Sequence, residues 1–322
     1  VMGPVMGEHI ILGMDAPEHR RHRALVSAAF QAKALQRFEQ ELVAKVVSEL
    51  IDAFEDHGRA ELVRQFTFLF PIRVIARILG LPPEDHADFQ RWTVAIVGAQ
   101  GNWEGGLEAS KELAEYLAPI LEERRARPAD DLISQLAQAE IDGDRLSDEE
   151  IFSFVRLLLP AGAETTYRSS GNLIYLLLSH PDQLEAVRRD RQLVPQAIEE
   201  ALRLEPPLLI TSRLCVGDAE VGGTRVPAGS QVVVMLGSAN RDEERYPDPD
   251  RFDVFRQPQP HVSFGHGPHL CLGMHLARLE TKVALNALLD RLPGLRLDPE
   301  GDDPHIHGQI FRSPTCLPVL FG

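Results

Sequence analysis

The sequence predicts a mainly α-helical protein with small β-sheets, formed by a single domain over residues 1–322. Three observations support this prediction. Apolar residues recur with helical spacing from about residue 15 to residue 205. Beyond Pro206 and Pro207, short β-like runs separated by glycine-rich turns take over. Neither an internal repeat nor a flexible linker divides the chain, so one mixed domain is expected.

The predicted helices begin at capping residues and end at glycine or proline. Ser147 and Glu150 form a capping box, and the apolar segment that follows reaches about Ser179. A helix of this length spans roughly 48 Å and, being apolar nearly all round, should pass through the centre of the protein. The glycine-rich residues 98–106 break the helical pattern and predict a mobile loop. Helices are predicted over residues 15–30, 35–54, 72–79 and 147–179.

The last third of the chain combines strands, a loop and one helix. Residues 219–223 and 231–235 are bounded by turn residues and predict strands. Residues 240–270 are rich in proline, aspartate, glycine and histidine and predict an ordered loop. A final helix is predicted from Cys271 to Leu292, where a Pro-Gly pair ends it.

Composition restricts the partners and the compartment. The formal net charge of −15 argues against nucleic-acid binding, because phosphate contacts require a dominant basic surface. It also disfavours an anionic membrane surface. Cys215, Cys271 and Cys316 are widely separated and indicate reduced thiols in an intracellular protein. With no signal peptide and no apolar stretch long enough to cross a bilayer, the sequence predicts a cytoplasmic protein.

Cys271 lies in the segment with the most specific pattern. Gly265, Gly267 and Gly273 allow the backbone to turn, and to approach a ligand, where a Cβ would clash. A thiolate at the start of the predicted helix would be stabilised by the helix dipole and by free N–H groups. Together with Phe264, these features favour a ligand-binding cysteine.

Two other interpretations of this cysteine are open. A buried, inert structural cysteine is the ordinary case. A zinc site formed by His266, His269 and Cys271 is the second, although it lacks a fourth ligand and does not require a glycine-rich approach.

A second unusual segment, residues 161–166, interrupts the apolar central helix. It contains a carboxylate and hydroxyls, which are poor choices for a buried helix on packing grounds. Thr165 can hydrogen-bond backward to a carbonyl and open the helical ladder, while Gly162 leaves room for a ligand. The alternative is a simple kink with a threonine that satisfies only itself.

These two segments resemble the cytochrome P-450 family. Residues 264–273 match the family's haem-binding loop, Phe-Gly-x-Gly-x-His-x-Cys-x-Gly, at every fixed position, and residues 161–165 match Ala-Gly-x-(Asp/Glu)-Thr. The resemblance implies a triangular prism with a long central helix. It implies haem b as cofactor, with Cys271 as the axial ligand of the iron. It also implies that Thr165 holds dioxygen and that Glu164 relays protons to it.

The resemblance assigns further residues to the cofactor, the substrate and the framework. Glu200 and Arg203, completed by Arg251, are implied to be a buried structural group. His19, Arg23, Arg213 and His269 are implied to bind the haem propionates. The full implied set of haem-binding residues is His19, Arg23, Ala161, Arg213, Phe264, Gly265, His269, Cys271, Gly273 and Ala277. The expected substrate pocket consists of Ala161, Leu209, Ile210, Phe311 and residues 92–107.

The implied reaction inserts one oxygen atom from dioxygen into a hydrophobic molecule such as a terpenoid, steroid or polyketide. A separate ferredoxin-type protein is expected to supply two electrons, because the sequence shows no flavin- or nucleotide-binding segment. Arg20, Arg21, Arg278 and Lys282 predict a basic patch for that partner, with ordinary solvated charges as the alternative. The protein is expected to be a monomer.

The resemblance runs from about Asp15 to the C-terminus. Soluble family members carry a substantial region before the helix of His19, so a fragment or a shortened member is expected. Three rival functions are a peroxide-driven haem enzyme, a haem-thiolate sensor or carrier without turnover, and a zinc-binding protein. Glu164 and Thr165 disfavour the first two, because neither function requires an acid–alcohol pair.

Overall fold

Helices dominate the first two thirds of the chain in the computed structural model, which describes residues 3–27, 42–141 and 143–322. The helices are α1 Gly3–Met6, α2 Glu18–Ser27, α3 Ala44–Asp52, α4 Leu69–Ile78, α5 His86–Val97, α6 Trp103–Ala126, α7 Leu132–Gln138, α8 Asp148–Leu158, α9 Thr165–Ser179, α10 Pro181–Arg189, α11 Val194–Leu204, α12 Leu236–Ala239 and α13 Met274–Arg291. Short π-helical turns, Val63–Thr67 and Leu159–Glu164, precede α4 and α9.

The strands form small antiparallel sheets at the side of the helices. A three-stranded sheet has the order β1-β9-β8, with Arg59 opposite Leu320 and Leu297 opposite Val319. The remaining pairs are β2 with β3, β4 with β7, and β5 with β6. The strands are β1 Arg59–Glu61, β2 Glu140–Ile141, β3 Asp144–Arg145, β4 Ile210–Leu214, β5 Ala219–Val221, β6 Thr224–Val226, β7 Gln231–Met235, β8 Arg296–Leu297 and β9 Pro318–Leu320. The predicted mainly α class with small sheets, and strands in 219–223 and 231–235, are confirmed.

The central helix consists of α8, the π-helical turn Leu159–Glu164 and α9, as the capping box and the apolar run predicted. Ser147 accepts a hydrogen bond from the Glu150 N–H, and the Glu150 side chain accepts one from the Ser147 N–H. Pro160 has no N–H to donate to the helical ladder, which accounts for the wider turn at this point. Segment α9 packs on α4, α11 and α13, so the middle of the central helix lies inside the protein.

The prediction of a mobile loop over 98–106 was wrong. Helix α5 ends at Val97, a 3₁₀ turn follows, and α6 already begins at Trp103, with Asn102 accepting a hydrogen bond from the Gly105 N–H. A Cβ at Gly106 would lie only 2.4 Å from the Ala99 Cβ. The glycine at 106 therefore permits close helix packing instead of breaking the helix.

Other predicted boundaries differ by a few residues, as is usual for helix ends. The helix predicted over 72–79 is α4, and the described parts of 15–30 and 35–54 contain α2 and α3. Residues 28–41 of those two predictions lie outside the described residues. No helix in the described part of the chain is both long enough and apolar enough to cross a bilayer.

Candidate active site

Cys271 lies at the end of an irregular loop that precedes α13. Its N–H donates to the Phe264 carbonyl at 2.9 Å, which closes the loop on itself. Gly265 and Gly267 have φ of +73° and +78°, so the predicted need for glycine is confirmed at these two positions. At Gly273 φ is −87°, and no protein atom lies within 4 Å of the position that a Cβ would take. Glycine at 273 is thus required neither by the turn nor by protein packing, and it leaves space for a ligand.

The predicted start of the last helix at Cys271 was wrong. Residues 272–273 form a turn, and α13 begins at Met274. Burial raises the pKa of the Cys271 thiol, whereas a backbone hydrogen bond from Gly273 and the charges of Arg23 and Arg278 lower it; the net direction is upward. The helix start alone therefore does not produce a thiolate. A metal ion bound at the sulfur would do so, because coordination deprotonates a thiol outright.

Buried side chains fix the loop before Cys271. The Asn240 amide group donates to the Ser263 hydroxyl at 2.7 Å, and its carbonyl oxygen accepts from the Val262 N–H at 2.8 Å. The Ser263 hydroxyl in turn donates to the Leu202 carbonyl of α11 at 2.7 Å. These hydrogen bonds connect the irregular segment to Asn240 and to α11 and satisfy its Val262 N–H.

Glu200 and Arg203 form the predicted buried pair on α11, but Arg251 does not complete it. The Arg203 guanidinium donates to both Glu200 carboxylate oxygens at 2.8 and 2.9 Å. The third member is Arg256, whose Nε donates to Glu200 Oε1 at 3.1 Å. The Arg251 side chain is 66 % exposed, and only its backbone carbonyl accepts from Arg203. The sequence offered two arginines five residues apart, and pattern alone could not separate them.

Three of the four predicted propionate ligands lie together beside the cysteine loop. The rings of His19 and His269 pack with centroids 4.1 Å apart, and Arg23 Nη2 donates to the Leu270 carbonyl at 2.7 Å. His19 is 5 % exposed, and its Nε2 is buried without a hydrogen-bond partner. Burial first, then the neighbouring His269 and Arg23, lower the pKa of His19. A group of cations and donors with an unsatisfied nitrogen fits a carboxylate such as a haem propionate.

Arg213, the fourth predicted propionate ligand, stands apart from these residues in its contacts. It is exposed on β4, where its guanidinium donates to the Ser212 carbonyl at 2.8 Å and to the Thr211 hydroxyl at 3.3 Å. Both bonds lie within its own strand.

The structure does not favour the zinc interpretation of the cysteine loop. His266 is exposed, and the ring of His269 packs against the ring of His19.

Thr165 makes the backward hydrogen bond that the sequence predicts. Its hydroxyl donates to the Ala161 carbonyl at 2.7 Å, within the π-helical turn of the central helix. Ala161 itself is exposed although it lies in the middle of this helix. Gly162 departs from its prediction, since a Cβ there would come within 3.0 Å of Ile75 on α4. Its role is close packing against α4, not space for a ligand.

Arg168, one turn after Glu164, is a site residue that the sequence analysis missed. Glu164 is 9 % exposed, and Arg168 donates to its Oε1 through Nε at 3.2 Å and Nη2 at 2.9 Å. The Arg168 guanidinium also donates to the Ser313 hydroxyl at 3.0 Å and lies over the rings of Tyr167 and Phe311. The i,i+4 spacing from Glu164 was the signal that could have identified it.

The predicted pocket residues Leu209, Ile210 and Phe311 lie on two segments that are hydrogen-bonded to each other. Leu208 and Phe311 are joined by a β-bridge, and the Leu209 N–H donates to the Ile310 carbonyl at 2.8 Å. Ile210 begins β4 and, like Leu209 and Phe311, is half-buried. Because the Arg168 guanidinium lies over Phe311, this apolar wall is connected directly to the Glu164 carboxylate. Residues 92–107 are helical apart from the turn that joins α5 to α6, and the hydrogen bond of the buried Trp92 runs from its indole N–H to Glu112 at 2.7 Å.

Two residues of the predicted basic patch are engaged in ion pairs. Arg278 lies over the Phe264 ring at 4.4 Å and donates to both Glu199 oxygens at 2.7 Å. Arg21 pairs with Asp144 and Glu150. Arg20 is exposed. The patch therefore carries less net positive charge than the sequence alone suggests.

Ala277, one of the implied haem-binding residues, lies one turn into α13. Its N–H donates to the Gly273 carbonyl at 2.9 Å.

Comparison with known proteins gives matches over nearly the whole chain. A family model described as Cytochrome P450 matches residues 97–315, which include both predicted motifs. Cytochrome P450 107B1 of Saccharopolyspora erythraea is 42 % identical over 322 residues, which cover 99 % of this chain and 78 % of that protein.

Solved structures of cytochromes P450 also match nearly the whole chain. The crystal structure of CYP109E1 from Bacillus megaterium with corticosterone has a TM-score of 0.93 at 36 % identity, covering 97 % of this chain and 85 % of that one. The Bacillus subtilis bacillaene polyketide synthase cytochrome P450 PksS has a TM-score of 0.93 at 34 % identity, covering 99 % of this chain and 83 % of that one.

Proposed function

This chain belongs to the cytochrome P450 family, and we propose that it oxygenates hydrophobic small molecules of the polyketide, steroid or terpenoid class. It is an oxidoreductase of the monooxygenase type with haem b as cofactor, so the predicted family, fold, enzyme class and cofactor are confirmed. The observation that supports the proposal most is the half-buried Cys271 on its glycine loop, beside the unsatisfied nitrogen of His19.

Cys271 and the residues around it would hold the haem. When bound, a thiolate-ligated haem supplies the activation of dioxygen, because the sulfur pushes electron density onto the iron and favours O–O cleavage. We assign Cys271 Sγ as the residue that would bind the iron, and His19, Arg23 and His269 as the residues that would bind the propionates, with Arg213 as a fourth candidate on β4. The absence of side chains at Gly265 and Gly273 would leave room for the haem beside the sulfur.

Thr165 and Glu164 are proposed to handle the proton that oxygen activation consumes. Thr165 donates its hydroxyl hydrogen to the Ala161 carbonyl, which leaves its oxygen free to accept a hydrogen bond. Both Arg168 bonds to Glu164 end on Oε1, so Oε2 is the oxygen assigned to take up and release a proton. Arg168 is thus a positioning residue that keeps one carboxylate oxygen fixed while the other exchanges.

Replacing Thr165 tests whether dioxygen is the oxidant. We expect Thr165→Ala to lower the ratio of product formed to oxygen consumed by roughly tenfold or more, since proton delivery loses its orienting hydroxyl. Thr165→Ser keeps the hydroxyl and should retain the ratio. If Thr165→Ala leaves coupling intact, or if peroxide supports full turnover of the wild type without dioxygen, the peroxide-driven alternative is favoured.

An apolar wall beside the central helix supports a hydrophobic substrate. Leu209, Ile210 and Phe311 provide that wall, and Ala161 is exposed on the central helix. Among the matched proteins, CYP109E1 was crystallised with corticosterone and PksS is a polyketide synthase cytochrome P450. Both descriptions agree with large, mainly apolar guests, and neither identifies the substrate of this chain.

Titration of the haem protein with steroids and macrolides, followed by the spin-state change in the haem spectrum, tests the substrate class. Phe311→Ala should weaken binding about 10- to 100-fold, because burying a phenyl ring contributes about 1.5–3 kcal/mol. Phe255→Ala, at an exposed ring, is the matched control and should bind as the wild type does. Polar sugars binding better than all apolar compounds would contradict the proposal.

Electrons are proposed to come from a separate ferredoxin-type protein in the cytoplasm. The exposed Arg20 on α2, together with the Arg278 and Lys282 side of α13, is the surface assigned to it. Arg20→Glu should slow reduction of the haem at low ionic strength and leave its spectrum unchanged. The same charge reversal at the exposed Arg127 should not slow reduction, and equal rates in all three proteins would exclude this surface.

A further inference from the structure

A second cluster of potential metal ligands lies apart from the cysteine loop. It consists of His9 in the N-terminal segment, His22 on α2 and Glu150 in the first turn of α8. One ligand atom from each residue lies within 4.8 Å of the other two. His9 and His22 lie near each other in sequence, whereas Glu150 is far from both, and none of the three has a role in the proposed oxygenation.

His22 is oriented as a metal ligand would be. It is 5 % exposed, and its Nδ1 lies 3.1 Å from the Glu18 carbonyl, an acceptor that fixes the N–H on Nδ1 and leaves the lone pair on Nε2. Nε2 is buried without a hydrogen-bond partner, although Glu150 Oε1 is only 2.9 Å away. The two atoms are close but not aligned as donor and acceptor. Two atoms that bind one zinc ion have this arrangement: they lie about 3 Å apart, and both lone pairs are directed at the ion and not at each other.

We propose that His9, His22 and Glu150 form a divalent metal site that takes zinc. Two imidazole nitrogens and one carboxylate are a ligand set that zinc accepts, with water in the remaining position. The His9 and His22 rings lie nearly parallel, at 15° and with centroids 6.1 Å apart, so a small rotation of the half-buried His9 brings its nitrogen to the ion. The ion would tie the N-terminal segment to α2 and to the start of the central helix.

The neighbouring charges limit the affinity. Arg21 Nη1 donates to Glu150 Oε1 at 2.8 Å, and the Ser147 N–H donates to Oε2 at 2.7 Å. Arg21 also donates to Asp144 and to the Arg145 carbonyl, which would hold it when the metal takes part of the carboxylate. Because a cation shares the only carboxylate, we expect weaker binding than at a closed site with four protein ligands.

Equilibrium dialysis of the haem-loaded protein tests the site. After treatment with a chelator, the protein is dialysed against zinc, and bound zinc is measured per chain. We expect one zinc per chain and a zinc-dependent rise in the thermal midpoint, because an ion that binds only the folded state stabilises it. Cobalt in place of zinc should give the visible absorption bands of a four- or five-coordinate ion, in addition to the haem spectrum.

Variants identify the ligands. His9→Ala removes a half-buried ligand without opening the core, and it should weaken zinc binding at least tenfold and abolish the rise in midpoint. Glu150→Gln should act similarly. His305→Ala, at an exposed histidine that stacks on His307, is the control and should leave both readouts unchanged. Absence of bound zinc in the wild type, or unchanged binding in His9→Ala, would overturn the proposal, as would loss of binding in His305→Ala.

Discussion

The two sides of the active site are stabilised in opposite ways. On the cysteine side the chain is irregular from about residue 240 to Gly273, yet its polar groups are bonded to buried partners such as Asn240 and Arg203. On the opposite side the chain is a regular, buried helix whose middle is opened by the π-helical turn Leu159–Glu164. The irregular side is thus held by hydrogen bonds to buried side chains, and the helical side by its own backbone ladder.

The different backbone structures of the two sides suit the different chemistry that is proposed for each. A sulfur that binds iron must stay at one position, and a coil can hold it only if its backbone groups are satisfied by a fixed framework. The proposed oxygen and proton chemistry on the helical side needs polar groups that can change partner, which a wide helical turn with a hydroxyl and a carboxylate provides. Regular secondary structure is thus a poor guide to local rigidity in this site.

The largest loss of stability is expected on the cysteine side, when Arg203 is removed. Arg203→Ala leaves Glu200, which is 4 % exposed, as a buried charge that keeps its bonds from Arg256 and the Asp253 N–H but loses its bidentate partner, so we expect a loss of about 3–5 kcal/mol in the free energy of unfolding. Chemical denaturation of the haem protein measures this. Arg251→Ala is the matched control and should stay within about 0.5 kcal/mol of wild type, because its side chain is mostly exposed. Equal losses in the two variants would show that the framework is not organised around Glu200 and Arg203.

Changing Glu164 should affect the opposite side without weakening the fold to the same extent. Glu164→Gln keeps the shape but removes the group that takes up a proton, so we expect turnover to fall roughly 100-fold with haem binding retained. Product formation per haem under saturating electron donor measures this. A solvent isotope effect larger than that of the wild type would locate the loss in proton delivery. Unchanged turnover would remove Glu164 from the proposed chemistry.

The smallest effect is expected at Glu199, which supports the cysteine side from its edge. Burial raises the pKa of Glu199, but the hydrogen bonds from Arg278 and His261 outweigh it and lower the pKa from 4.5 to about 2. A lowered carboxylate pKa adds stability above pH 4.5, and this stability disappears as the pH falls towards about 2.

Glu199→Gln should therefore lose stability above pH 4.5, and its difference from wild type should shrink as the pH falls through that window. Because the Glu199 side chain is 40 % exposed, the difference should not exceed about 1 kcal/mol. Urea denaturation at several pH values measures it. Glu185→Gln, in an exposed pair within α10, should stay within about 0.5 kcal/mol at every pH. A difference that grows on acidification would contradict the assigned direction.

The sequence predicted the parts of the structure that rest on local patterns. The capping box at Ser147 and the backward bond of Thr165 depend on neighbours within a few residues. The strand over 231–235 pairs with β4, but its apolar run and flanking turn residues already indicated a strand. Predictions failed where tertiary contacts decide the outcome. Gly106 packs tightly on Ala99 across the turn before α6, and Arg256 replaces Arg251 because the fold directs that side chain at Glu200.

The proposed oxygenation depends on Cys271 as the ligand of the haem iron. The absorption spectrum of the reduced protein under carbon monoxide tests it, since a thiolate ligand and an imidazole ligand give different Soret positions. We expect a thiolate-type spectrum in the wild type and in Cys215→Ser and Cys316→Ser, and an imidazole-type spectrum in Cys271→His. A thiolate-type spectrum that persists in Cys271→His, or disappears in either control, would contradict the assignment.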